Sequence, residues 1–157
     1  MFSKRTLIGG LVAFLVLFIA NWLLWGLIFM STWENMTTVP VNTEPDMVWL
    51  TLGYLFYGWL FAYIYPLGYE GGGAAGEGIR FGIVMWGVAS LATGMVMQSF
   101  TPDSMTAFVF AQFVNLVVYV LMGIALAMVM ERFVEPEAPA APSASTPPAP
   151  PEEPEGF

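Results

Sequence analysis

The residues best able to do chemistry in this chain are amides and hydroxyls set in apolar surroundings. Gln112, Asn115 and Tyr119 fall at i, i+3 and i+7, which places them on one stripe of a helix. Asn21 lies in an earlier apolar run between Ala20 and Trp22, and Ser90, Thr93 and Gln98 add further polar groups in a third. Amides in hydrocarbon need partners, so such a set either glues helices together or lines a pocket. The second pattern is charged. Glu77 stands three residues before Arg80, close enough for local pairing on a helix or turn.

What is missing excludes whole classes of chemistry. The chain has no cysteine and no histidine. That removes thiolate zinc sites, iron–sulfur clusters and disulfide exchange. It also removes the imidazole base of ordinary nucleophilic catalysis. No catalytic constellation, cofactor or resident metal is expected, and the chain is not read as an enzyme.

Three motifs fail on geometry. Gly71–Gly76 spells G-x-G-x-x-G, but the nucleotide fingerprint needs a preceding strand, and an apolar helix precedes it here. Six glycines within 68–78 read as a mobile turn. Met95 with Met97, and Met128 with Met130, suggest copper handling, yet residues two apart on a helix point in nearly opposite directions. Glu34, Glu44, Asp46 and Asp103 are too dispersed to make the dense oxygen cage of a hard cation.

The elements that carry these residues are membrane helices. Of 157 residues, 57% are hydrophobic and only 10% charged, and the mean hydropathy is +0.70. A soluble domain carries about 25% charged residues, so this chain lacks the polar surface to cover itself in water. Apolar stretches at about 6–30, 47–65, 79–97 and 105–130 each approach the roughly 20 residues that cross hydrocarbon. The first is too long for the core of a signal peptide. Thr43 with Asp46, and Thr101-Pro102-Asp103, supply helix starts. Between them, 31–46 reads as a polar loop. The expected fold is an all-α, antiparallel bundle of four transmembrane helices over 1–134. A Pro/Ala/Glu-rich tail, disordered and cytoplasmic, occupies 135–157.

Charge sets the orientation. Lys4, Arg5, Arg80 and Arg132 all fall on one side of this topology, and Glu34, Glu44, Asp46 and Asp103 on the other. The positive-inside rule then puts both termini and the glycine turn in the cytoplasm of a bacterial inner membrane. The net charge of −8, with no basic stripe, argues against nucleic acid as a partner. No ionisable side chain lies inside a span, which disfavours proton-coupled transport.

Each span carries small residues four apart: Gly9 with Ala13, Gly58 with Ala62, Ser90 with Gly94, and Gly123 with Ala127. These permit close approach of helices, within the chain or between subunits. Trp25-Gly26 and Trp86-Gly87 form a faint echo, each ahead of a Thr/Pro/Asp helix start, as a duplicated hairpin would.

The stretch around Gly68–Gly71 and Glu77–Gly82, with the aromatic second helix, resembles a group of small, uncharacterised bacterial four-helix inner-membrane proteins. The resemblance implies a fold and an address but no activity. Two functions are therefore weighed. The first is an accessory, scaffold or interaction subunit that meets other membrane subunits, or itself as a homo-oligomer, through the small-residue faces. The second is a small permease, channel or lipid-binding protein whose pocket lies between the first and fourth helices, lined by Asn21, Gln112, Asn115 and Tyr119.

Overall fold

A computed structural model describes residues 3–40, 44–101 and 103–133. Among them the chain is helical wherever it is regular, with no strand. Helix α1 (Lys4–Asn21) continues as a π-helical segment, Trp22–Ile28. A short helix α2 (Met30–Met36) follows, then α3 (Met47–Ile64), which tightens into a 3-10 turn at Tyr65–Gly68. Helix α4 (Ala74–Trp86) passes through a second π segment, Gly87–Ala92, into α5 (Thr93–Phe100). Helix α6 (Met105–Glu131) is the last.

Four of the continuous helical runs are long and apolar enough to cross a membrane: Lys4–Ile28, Met47–Gly68, Ala74–Phe100 and Met105–Glu131. The shortest has 22 residues, about 33 Å at 1.5 Å per residue, against a hydrocarbon core of about 30 Å. Their outer faces carry long apolar stripes. Leu7, Leu11, Leu15 and Ile19 make one exposed stripe on α1, and Val109, Phe113, Val117 and Leu121 another on α6. In water such continuous patches would be an aggregation hazard; lipid covers them without cost. The chain is thus a multi-pass membrane protein in composition and build.

Helix α1 packs against α3 and α6, and α4 packs against α6. Each pair runs antiparallel, as contacts at opposite ends show. Arg5 donates to the Met130 sulfur at 3.3 Å, while Trp25 meets Asn115 near the other end of the same two helices. The outer helices α3 and α4 meet through the rings of Phe61, Tyr65 and Phe81. The buried core gathers Ala13, Phe61, Ala62, Tyr65, Met122, Leu126, Ala127 and Met130 toward the end that holds Arg5, Arg80 and Arg132. We call this the basic end, and the end with Glu34, Asp46 and Asp103 the acidic end.

The small residues serve contacts inside the chain. Gly58 sits against the backbone of Gly10 and Phe14, so close that an added Cβ would lie 2.5 Å from the Gly10 carbonyl oxygen. Gly123 is seated against Gly78 and Gly82 in the same way, and Gly9 against Met130. Ala13, Ala62 and Ala127 are fully buried beside them. Gly10, Gly78 and Gly82 are partners that the small-residue reading missed. Placing the third helix at 79–97 left Gly78 outside it, although Gly78 and Gly82 stand four apart.

Several sequence expectations are corrected in detail. The third span begins at Ala74, because the Glu131 carboxylate accepts from the Ala74 amide at 3.1 Å and satisfies the helix start from another helix. Gly76 and Gly78 are therefore helical, and Glu77 and Arg80 lie on the first turns of α4 instead of in the loop. Ion pairs and hydrogen bonds cross the glycine turn. Arg80 binds Glu77 at 2.7 Å, Glu70 and the Gly68 carbonyl, and the Gly72 amide donates to Glu77 at 3.1 Å. Among the described residues Gly71 alone needs glycine for its backbone, at φ +87°. The supposed loop 31–46 contains α2. At the fourth span the cap is Ser104, which accepts from the Ala107 amide at 3.1 Å, in place of Thr101. Asp46 is itself the N-cap of α3, accepting from the Val48 and Trp49 amides, instead of the third-position partner that a Thr43/Asp46 capping box would make it; Thr43 and the tail 135–157 lie outside the described residues.

Candidate functional site

All four spans contribute to one polar cavity of about 180 Å³. Asn21 comes from α1, Tyr54 and Tyr57 from α3, Ser90 from the second π segment, and Asn115 and Tyr119 from α6. Leu17 and Ala89 complete the wall. Among the described residues no Asp, Glu, Lys or Arg lines it.

A chain of hydrogen bonds holds the α6 side. The Trp25 indole donates to the Asn115 carbonyl oxygen at 3.2 Å, and the Asn115 amide donates to the Ser90 hydroxyl at 3.0 Å. Ser90 then donates to the Gln112 side-chain oxygen at 2.9 Å. Trp86 adds a bond from its indole to the Gln112 backbone carbonyl at 2.9 Å. The relay ties α1, α6 and the third span at one level, and both tryptophan donors belong to Trp-Gly pairs at π segments. A π turn widens the backbone by one residue per turn, and such distortions often mark functional sites. Here they set Trp25 and Ser90 toward α6.

Sequence reading and structure can be compared residue by residue. Asn21, Asn115 and Tyr119 come together on the cavity, as the pocket reading expects. Gln112 does not line it: it lies one turn nearer the acidic end and is absorbed by Ser90 and Trp86. Asn21 spends its amide on the Leu17 carbonyl of its own helix at 2.8 Å, leaving its side-chain oxygen for the cavity. Gly94 gives room to the Gln112 amide, 2.7 Å from where its Cβ would stand. Glu77 and Arg80 belong to the basic end, remote from the cavity along α4. Tyr54 and Tyr57 were missed. Both sit in an apolar, aromatic helix in which periodicity alone does not separate a tyrosine that lines the cavity, even the partly exposed Tyr57, from the exposed Trp49.

Toward the basic end the cavity is closed. The Phe61 ring packs on Tyr119 at 5.8 Å, and beyond it Met122, Leu126 and Met130 are wholly buried. Toward the acidic end lies a latch. Asp103 accepts from the Thr37 hydroxyl at 2.6 Å, the Thr38 amide at 2.6 Å and the Ser104 amide at 2.7 Å. Ser104 also donates to the Met36 carbonyl at 2.6 Å. These bonds pin the end of α2 to the start of α6.

Met128 and Met130 do not share a face: Met128 is exposed while Met130 is buried under Arg5. Among the described residues no three acidic side chains gather as metal ligands would. The cavity can therefore do two things chemically. It can donate and accept hydrogen bonds through three phenols, a hydroxyl and two amides, and it can exclude charge. No family model, curated protein or solved structure matches this chain.

Proposed function

We propose that this is a non-catalytic integral membrane protein that binds a small uncharged molecule in the cavity among its four spans. The spans form an antiparallel bundle in a bacterial inner membrane, with the basic end cytoplasmic by the positive-inside rule. One observation carries the reading: every span presents a polar side chain to the same space. Helix glue needs pairs; here hydrogen-bonding side chains from four helices converge on one shared space, as the polar groups of a small-ligand site do. The packed core beneath Tyr119 favours binding over free passage, because it leaves no polar path to the basic end.

Native mass spectrometry from mild detergent tests this. The wild-type chain should retain an uncharged adduct that the Tyr119→Phe, Asn115→Leu double variant loses. A wild-type chain with no adduct, or one retained equally by the variant, would overturn the proposal.

The accessory-subunit reading stands second. Its sequence argument rested on small-residue faces, which contact one another within the chain. An apolar groove lined by Leu11, Leu52, Phe56 and Trp59 remains on the α1–α3 face as the surface it would use. The same spectra separate the two readings, since a subunit carries a protein partner where a binding protein carries a small adduct.

A further inference from the structure

A second cavity adjoins the polar one. Phe18, Trp22, Trp25, Trp33, Met47 and Leu50 line about 530 Å³ at the acidic end, and Asn21 and Tyr54 line both spaces. We infer that the two cavities hold one neutral amphiphile taken from the bilayer. Its hydrogen-bonding head, a hydroxyl, carbonyl or carboxamide, sits among Tyr54, Tyr57, Ser90, Asn115 and Tyr119. Its flat apolar body lies between Trp22 and Trp25. This rests on the binding reading above and adds the ligand's chemical class.

Size makes the first argument. Ligand sites span about 300–1,000 Å³. The polar cavity alone falls short of that range, with room for a head group or a few waters; joined to the aromatic one it is well inside. Charge makes the second. Among the described residues neither cavity has an ionised side chain in its wall, so an anionic or cationic ligand would be desolvated without a partner. The walls make the third: one is hydroxyl- and amide-bearing, the other is indole and phenyl, and they meet at residues with both characters. Tryptophan at this level of a span also marks the membrane interface, where an amphiphile already resides. Trp22 and Met47, on the rim of the aromatic cavity, are exposed on the outer surface of the helices, which gives lateral access from lipid. The first π segment supplies Trp22, Trp25 and Gly26 to this wall, and the second supplies Ala89 and Ser90 to the other.

Equilibrium dialysis with the full chain in nanodiscs, against empty nanodiscs, tests the inference with three probes. Naphthalene carboxamide has the neutral head and flat body, naphthalene carboxylate has the body with a charge, and acetamide has the head alone. Saturable carboxamide binding at least about tenfold tighter than either of the others supports it. Gly26→Phe should then weaken carboxamide binding by about tenfold by filling the aromatic cavity. The first atom of the new side chain has room, because the nearest atom to a Cβ at Gly26 is Trp22 Cδ1 at 3.6 Å. Trp22→Ala, at an exposed position, removes the same wall without adding bulk. Acetamide binding as tightly as the carboxamide, with both variants indifferent, would overturn the inference and leave the polar-cavity reading standing. Tighter carboxylate binding would also overturn it. Saturable binding of none of the three would overturn both.

Discussion

At Gly123 a single methyl group decides whether two helices can touch. Its Cβ would meet the Gly78 carbonyl, and the Gly82 amide nitrogen at 2.9 Å, and neither backbone atom can rotate away. Gly123→Ala should therefore cost about 1–3 kcal/mol, read as a lower unfolding midpoint in mild detergent. Gly53→Ala is the counterpart: nothing stands within 4 Å of its Cβ, so it should be neutral or gain up to about 1 kcal/mol in helix propensity. Equal midpoints for the two variants would contradict the α4–α6 contact. Ser90 makes a different point, because its side chain bonds both Gln112 and Asn115. Ser90→Ala should cost about 0.6–2 kcal/mol for each of the two bonds lost, measured in the same unfolding series. The Gln112, Asn115, Tyr119 stripe was legible because helical spacing brings i, i+3 and i+7 together. Whether each amide bonds a helix or faces a cavity was not, since that depends on which neighbour arrives opposite. Ser90 arrives opposite Gln112 and takes it out of the cavity.

At the scale of elements, the latch between α2 and α6 is the part most open to titration. Burial pushes the Asp103 carboxyl upward, but hydrogen bonds from Thr37, Thr38 and Ser104 outweigh it and hold the group below its ordinary value. A carboxyl lowered in the folded state contributes stability that is fully present above its unfolded value, about 3.9. That contribution is lost as pH falls through the lowered value. The Thr38 amide, which donates to Asp103, should thus keep its hydrogen-exchange protection from neutral pH to about pH 4 and lose it below. In Asp103→Asn the protection should be weaker and flat across the same range; wild-type loss already near neutrality would contradict the latch. Little of this was readable in advance. Asp103 looked like an acid serving its own helix start, yet Ser104 caps α6 and Asp103 reaches across to α2. The π segments left no sequence signature beyond the Trp-Gly pairs. Gly58 and Gly123, the contact glycines of α3 and α6, both lie past the middle of their helices.

At the scale of the whole molecule, the four apolar runs and their connectivity were plain from composition, because a spanning helix must be apolar along its entire length. Their pairing was not, and it emerges from which glycine meets which backbone. The absence of native cysteine gives single-cysteine variants a clean background. In intact cells Glu34→Cys should react with an impermeant maleimide, whereas Gly73→Cys, at an open position in the basic-end turn, should react only after lysis. Labelling of both from outside would refute the orientation. The polar cavity itself is tested most directly by two adjacent residues. Ala89 lines it, while Val88 is 63% exposed on the outer face of the same π segment. Thiols react as thiolates, which form in contact with water and are suppressed in hydrocarbon. With the protein in a bilayer, Ala89→Cys should be modified by a small water-soluble methanethiosulfonate and Val88→Cys should be spared. Modification of Val88→Cys with protection of Ala89→Cys would mean that the four spans neither face lipid with their apolar sides nor enclose a polar space.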